Sequence, residues 1–141
     1  MEEAKLSRGL AVCRNLIVAG HSGLFITRMR LDAQGRKAKP AKGLWLSHLV
    51  GRDILGPNQL RLMGRHMADF ISTNEQAVVL LEGVDYLVLE NGLEEVLKLI
   101  HQICDEAVEH GAVFVISLDP GLFGERELVR LRRAVDSSNR C

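Results

Sequence analysis

The chain of 141 residues carries 18 basic and 18 acidic side chains, and 47% of its residues are hydrophobic. This length and apolar content fit a single domain with a substantial core. A formal net charge of +0 excludes a global field that would draw the protein to nucleic acid or to an anionic membrane. The cysteines, Cys13, Cys104 and Cys141, form no closely spaced pair, which argues against a disulfide framework and a zinc site and favours a reducing, cytoplasmic setting.

The first third of the chain predicts one helix and two strands. Apolar residues at helical spacing predict a helix over about residues 6–19. Arg14 and Asn15 interrupt its apolar run, so neither a signal peptide nor a membrane span is expected. Short runs rich in β-branched and aromatic residues predict buried strands at 23–29 and 43–47. Residues 31–43 lack periodicity and predict a flexible basic loop, which fits a solvated connector better than a phosphate-binding loop.

The middle of the chain predicts a helix followed by a strand. Pro57 suits the first turn of a helix over about 57–74, because proline lacks the N–H that is unpaired there. The apolar segment 77–82, AVVLLE, is the strongest predicted strand. The buried face of the helix is predicted to carry Leu60, Met63, Met67 and Phe70, with Leu62 and Ile71 at its margins.

The last third continues the alternation of helix and strand. Apolar residues at helical spacing after the Asn-Gly pair at 91–92 predict a helix that ends near Gly111, and the run 112–119 predicts the next strand. A final helix is predicted from about Gly124, since acidic residues at its start and arginines near its end suit the helix dipole. Residues 136–141 are predicted to be a disordered tail.

This order predicts an α/β fold in which three layers are formed by a mainly parallel, four-stranded sheet with helices on both faces. The predicted strands lack the alternation typical of sheets with one solvated face. Right-handed crossovers favour the strand order 2-1-3-4, numbered along the chain, which places residues 112–118 at one edge.

In open parallel sheets, ligands bind beyond the carboxyl ends of the strands, near the point where the winding reverses. An arginine facing carboxylates there either binds a phosphate or pairs with those acids, and Asp85 and Asp119 also suit helix caps. The candidate ligand-binding residues at the predicted strand ends are Thr27, Arg28, Ser47, Glu82, Asp85, Tyr86 and Asp119.

Motifs of known enzyme classes are missing from the sequence. It contains no GxxxxGK[ST] phosphate loop, no GxSxG nucleophile motif and no CxxC, and its histidines lack metal-ligand spacing. The sequence therefore predicts no catalytic residue, no metal and no cofactor, and an enzyme is disfavoured.

Several segments together resemble one known family. GHSGLFITR, LWLS, the helix that starts with Pro57, VVLLEGVDYLVLENG and FVISLDP look like the archaeal domain-of-unknown-function family 835. Members of that family occur with sensory or membrane-attached domains, so the resemblance implies a regulatory or scaffolding task without an established activity.

A more distant resemblance concerns the later half of RecA- or KaiC-type ATPase cores. It places Glu82 where those ATPases carry a magnesium-site acid, although this chain lacks their first strand and phosphate loop. The resemblance implies that 112–118 is an unpaired apolar edge strand, because the missing strand would lie beside it. Such edges are seldom left bare, so we expect it to be covered by the chain's own termini, a second copy or a partner strand.

Three functions are compatible with the sequence. The leading hypothesis is a non-catalytic regulatory or protein-interaction module of archaeal signalling-type proteins that forms a homodimer or binds a protein partner. The alternative is a domain derived from an ATPase core that binds a nucleotide or phosphate metabolite through Arg28, Glu82 and Asp85. Binding to nucleic acid is the least supported, since the net charge is zero.

Overall fold

The computed structural model describes residues 6–28 and 41–136. Its helices are α1 (Leu6–Val18), α2 (Leu60–Thr73), α3 (Val84–Asn91), α4 (Leu93–His110) and α5 (Glu125–Asp136). Its strands are β1 (Ser22–Thr27), β2 (Ala41–Leu46), β3 (Ile54–Leu55), β4 (Ala77–Glu82) and β5 (Val113–Ser117). A short 3₁₀ helix, Pro120–Leu122, connects β5 to α5.

The strands form one five-stranded parallel sheet in the order β3-β2-β1-β4-β5. The predicted α/β architecture and the order of the four predicted strands are confirmed. The fifth strand, β3, was not predicted, because two residues are too few to show any hydrophobic pattern. It extends the sheet beyond β2, where Trp45 and Leu46 pair with Ile54 and Leu55.

One face of the sheet is covered by α1. Cys13 and Ile17 of this helix are buried against a layer of sheet side chains. Burial raises the pKa of the Cys13 thiol to about 12, so the thiol stays protonated and unreactive at neutral pH. The sheet residues in this layer are Phe25, Val78, Leu80 and Val115.

The other face is covered by α2, α4 and α5, which carry the larger part of the core. On α4, a stripe at helical spacing is buried, much as predicted, and Leu99 joins it. The strands can be apolar on both faces because both faces are covered, which explains their uninterrupted hydrophobic runs. The sheet residues on this face include Leu24, Ile26, Val79, Leu81, Phe114 and Ile116.

Helix α2 begins at Leu60, so the prediction that Pro57 lies in its first turn was wrong. Gly56 and Gln59 form a turn, in which the Gln59 amide donates to the Gly56 carbonyl at 3.0 Å and the Gln59 side chain accepts from the Gly56 amide at 2.8 Å. The first helical bond runs from the Met63 amide to the Gln59 carbonyl at 2.9 Å. The buried face consists of Met63, Gly64, Met67 and Ile71, while Leu60 and Phe70 are half-buried and Leu62 is exposed.

Helix α3 was not predicted. Within it only Val84 and Leu87 are fully buried, and Leu89 is 81% exposed, so its apolar residues do not form a clean stripe. The helix begins directly after the strand because Gly83 adopts the left-handed conformation, φ 97°, and turns the chain within one residue.

Element ends differ from the predictions by a few residues. Strand β2 begins at Ala41, so the last part of the predicted loop 31–43 belongs to the sheet, and the remainder lies outside the described residues. The predicted tail lies outside them too, apart from Asp136 at the end of α5. None of the helices within 6–28 and 41–136 has the length and hydropathy needed to cross a membrane.

Candidate functional site

Parallel pairing of β1 and β4 brings the carboxyl ends of these two strands together. Ile26 lies beside Leu81, so Arg28 and Glu82 meet at the carboxyl end of the sheet. The Arg28 backbone amide donates a hydrogen bond to Glu82 Oε1 at 2.8 Å. The carboxylate thus ties the end of β1 to the end of β4 through the main chain of Arg28.

The Arg28 side chain stacks on an aromatic ring. Its guanidinium carbon lies 3.9 Å from the centroid of the Tyr86 ring on α3, within cation–π distance. Within the described part of the chain, the guanidinium forms no ion pair with a carboxylate. On the main chain, the Trp45 indole N–H donates to the Arg28 carbonyl at 2.9 Å. Contacts from β4, α3 and β2 therefore hold Arg28 in one place.

His48, in the loop after β2, extends this group of contacts to α3. Its ring meets the Tyr86 ring edge-on, with centroids 5.6 Å apart and planes at 86°. Its Nε2 lies 3.1 Å from Oε1 of Glu90. We call the whole set the strand-end cluster, which consists of Arg28, Trp45, His48, Glu82, Asp85, Tyr86 and Glu90.

Because Gly83 has no side chain, the Arg28 side chain can occupy the space beside it. A Cβ at Gly83 would lie 2.7 Å from Cγ and 3.2 Å from Cδ of Arg28, and 3.3 Å from Cδ2 of Leu46. The methylene stem of Arg28 therefore runs directly over the backbone at the start of α3. Glycine is required there both for its positive φ and for this close approach.

The electrostatics of the strand-end cluster are dominated by carboxylates. Glu82, Asp85 and Glu90 belong to it beside one guanidinium and one histidine. Burial raises the pKa of Glu82 above its usual range, the hydrogen bond from the Arg28 amide lowers it, the charge of Asp85 raises it and the charge of Arg28 lowers it. The partly buried carboxylate of Glu82 thus lies near the guanidinium of Arg28, which the Tyr86 ring holds in place.

The structure brings together Arg28, Glu82, Asp85 and Tyr86 of the predicted candidates. Asp119 follows β5, which β4 separates from β1. Its side chain accepts from the Gly121 amide at 3.0 Å and caps the 3₁₀ helix, as predicted for a cap. For α3 the cap prediction was wrong, because Gly83 is the N-cap and Asp85 lies in the first turn.

Of the other two predicted candidates, Thr27 is buried and Ser47 fixes a turn. Thr27 is only 1% exposed. The Ser47 hydroxyl accepts a hydrogen bond from the Leu49 amide at 3.1 Å, which fixes the turn after β2. As ligand contacts, both residues stay predictions.

Sequence reasoning missed Trp45, His48 and Glu90. Trp45 lies inside a predicted strand and His48 directly after it, so their place beside the β1 end follows from the sheet order already predicted. Glu90 gave no signal, because its position depends on α3, which the sequence pattern did not show.

Comparison with known protein families gives one match. The model of a family described as "Protein of unknown function (DUF835)" matches residues 3–135, which is nearly the whole chain. The chain belongs to the DUF835 family. A search of curated proteins found no match to it.

One group of metal-binding residue types lies on α4 of this DUF835 domain. Ligand atoms of Glu106, Glu109 and His110 lie within 4.8 Å of one another, and Glu106 and His110 approach to 3.5 Å. These residues are spaced three and four apart on the surface of a single helix, where such contacts are ordinary. Within the part of the chain that the structure describes, no second element adds a ligand, so the group supports no metal site.

The Glu82→Gln substitution should change how the stability of the DUF835 domain depends on pH. Because the folded state raises the pKa of Glu82, it holds this proton more tightly than the unfolded chain does. The stabilisation by the protonated form is complete below the unfolded pKa, about 4.3, and is lost as pH rises through the higher folded pKa. Glutamine keeps an oxygen for the Arg28 amide without the charge.

Unfolding by urea from pH 4 to pH 8 measures this effect. The Glu82→Gln protein should lose less stability than the wild type over the rise in pH. Glu95→Gln, at an exposed position on α4, is the control and should follow the wild-type curve. Parallel curves for wild type and Glu82→Gln would show that Glu82 titrates alike in the folded and unfolded states.

Proposed function

We propose that this DUF835 domain is a non-catalytic regulatory module that acts through protein–protein interaction, and that two copies pair through the edge strand β5. The observation that supports it is the sheet order, in which β5 is the last strand and pairs with β4 alone. No strand within residues 6–28 and 41–136 pairs with its outer side. An edge of this kind offers backbone N–H and C=O groups to a further strand.

The two edges of the sheet differ in the features that discourage pairing. At one edge, β3 has only two residues, and a very short edge strand gives a partner little to pair with. At the other edge, β5 has the sequence VFVIS, without charge or proline. The segment after β5 adds an exposed apolar side chain, Leu122, which is 59% exposed. The β5 edge is therefore the one suited to association.

A second copy of the chain is the partner that this edge fits. A two-fold axis beside β5 would place two identical strands antiparallel, and any edge strand can complement itself in this way. The formal net charge of +0 means that two copies do not repel each other as a whole. The result would be one continuous sheet across both copies.

Sedimentation equilibrium of the full chain tests this proposal. The wild type should reach twice its monomer mass of 15.7 kDa at micromolar concentrations. Val113→Lys places a charge on β5 and should raise the dimer dissociation constant at least tenfold, about 1.4 kcal/mol. Val50→Lys is the control for the added charge, because Val50 is 100% exposed and lies in the loop after β2. Val113 is half-buried against the layer under α1, so circular dichroism should show that Val113→Lys keeps the fold.

Amide hydrogen exchange gives a second measurement that needs no substitution. Amides in 113–117 should become better protected as the protein concentration rises through the dissociation constant, whereas those of β1 should not change. A monomer at 100 μM with concentration-independent exchange in β5 would overturn the proposal.

The alternative function, binding of a nucleotide or phosphate metabolite at the strand-end cluster, has less support. The exposed guanidinium of Arg28 is fixed on Tyr86 and unpaired among the described side chains, which suits an anion. Glu82, Asp85 and Glu90 share its surroundings, however, and would repel a phosphate. The charges around Arg28 therefore favour a structural role for the cluster over a nucleotide site.

A further inference from the structure

A cleft lies on the α2 face of the sheet, near the amino ends of β1 and β2. Its volume is about 270 Å³, and it is open to solvent on one side. Four of its lining residues are a stripe on α2 at helical spacing, and two are neighbours on β1 and β2. The lining residues are Leu24, Lys42, His66, Asp69, Phe70 and Thr73.

This cleft is separate from the strand-end cluster. Leu24 precedes Arg28 by four positions along the β1 direction, or roughly 13 Å at about 3.3 Å per residue. The cleft also shares no residue with β5. A ligand here would therefore leave the proposed dimer edge free.

Three ionisable side chains of the cleft have no partner among the described residues. In the described ranges, the side chains of Lys42, His66 and Asp69 form no hydrogen bond and no ion pair. The side chains that bond to Asp69 reach its backbone carbonyl, which accepts from the hydroxyls of Ser72 and Thr73. A cationic and an anionic side chain thus line the same cleft without neutralising each other.

The remaining surface of the cleft includes two apolar side chains. Leu24 is 1% exposed and belongs to the core beneath the cleft, and Phe70 on α2 is half-buried against the same core. An apolar surface beside a few charged groups is typical of sites for small molecules, in which the polar groups fix the orientation of the ligand.

We propose that this cleft binds a free α-amino acid with an apolar side chain. Lys42 and His66 suit the ligand carboxylate, Asp69 suits its ammonium group, and Phe70, which lies beside the buried Leu24, suits its side chain. A simple anion would meet Asp69 and a simple cation would meet Lys42, so the charge pattern favours a zwitterion. A regulatory module with such a site would respond to the supply of apolar amino acids.

The size of the cleft agrees with this class of ligand. Its volume of about 270 Å³ lies just below the roughly 300–1,000 Å³ of sites that enclose drug-sized ligands. The cleft therefore suits a ligand as small as an amino acid better than a nucleotide.

Calorimetric titration of the full chain with L-leucine, L-phenylalanine and L-methionine tests the proposal. At least one should bind saturably, and Asp69→Asn should weaken that binding at least tenfold. The deaminated analogue 4-methylpentanoate, which lacks the ammonium group, should bind more weakly than leucine, and Asp69→Asn should not weaken its binding further, because the substitution removes a charge that repels the analogue. Lys42→Gln should weaken leucine but spare 3-methylbutylamine, which lacks the carboxylate.

Arg65→Gln is the control on α2, since Arg65 is exposed and does not line the cleft, and it should bind leucine as the wild type does. Circular dichroism should show that all variants keep the fold. Absence of saturable binding for all three amino acids overturns the proposal, as does binding that neither Asp69→Asn nor Lys42→Gln weakens.

Discussion

Phe25→Ala is expected to lower the free energy of unfolding by about 3–5 kcal/mol. Phe25 is 1% exposed on the central strand β1 and packs in the layer that α1 covers. Its ring also reaches back over the start of β1, where its Cε1 would lie 3.2 Å from a Cβ on Gly23. The substitution would therefore leave a cavity between the sheet and α1, and the loss of packing adds to the loss of buried apolar area.

Phe70→Ala is the matched control, because it removes the same atoms from a half-buried site on α2. Its expected cost is about 1–2 kcal/mol, since less apolar area returns to water. Urea unfolding followed by circular dichroism measures both costs. Equal costs would show that α1 closes the cavity left by Phe25, and that the packing of this layer is less rigid than the structure indicates.

Gly83→Ala is expected to destabilise the protein by about 2–5 kcal/mol. The left-handed backbone costs a residue with a Cβ about 1–2 kcal/mol, and overpacking against Arg28 and Leu46 adds about 1–3 kcal/mol. The shortest contact, 2.7 Å to Cγ of Arg28, requires the arginine stem to move and its guanidinium to leave the Tyr86 ring.

Gly111→Ala separates the two contributions. Gly111 has φ 68° at the end of α4, in the same left-handed region, but a Cβ there meets no atom within 4 Å. It should cost only the backbone part, about 1–2 kcal/mol. In an Arg28→Ala background, the cost of Gly83→Ala should fall toward that of Gly111→Ala. An unchanged cost would mean that Arg28 is not the source of the strain.

Four of the seven residues of the strand-end cluster could be predicted from the sequence. Arg28, Glu82, Asp85 and Tyr86 were expected together because parallel strands deliver their carboxyl ends to the same edge of the sheet. What the residues do there was not predictable. Arg28 binds Glu82 through its backbone amide and stacks its guanidinium on Tyr86, two contacts that depend on the exact place where β1 ends and α3 begins.

The cleft on α2, in contrast, could not be predicted from the sequence. Its residues come from β1, β2 and α2, and no local pattern singles out Lys42, His66 or Asp69. Sequence reasoning placed Lys42 in a solvated loop, although strand pairing puts it beside Leu24 in the sheet. A site assembled from three elements by packing leaves no trace in the spacing of its residues along the chain.

The sequence by itself determined the α/β class, the parallel sheet order and the place of β5 at its edge. The class follows from apolar runs along the chain, and the order follows from right-handed crossovers between successive strands. Only the tertiary structure decided that α3 follows β4 without a loop, that Arg28 lies over Gly83 and that three ionisable residues share a cleft. Such features depend on backbone angles and on contacts between distant segments, and hydrophobic periodicity records neither.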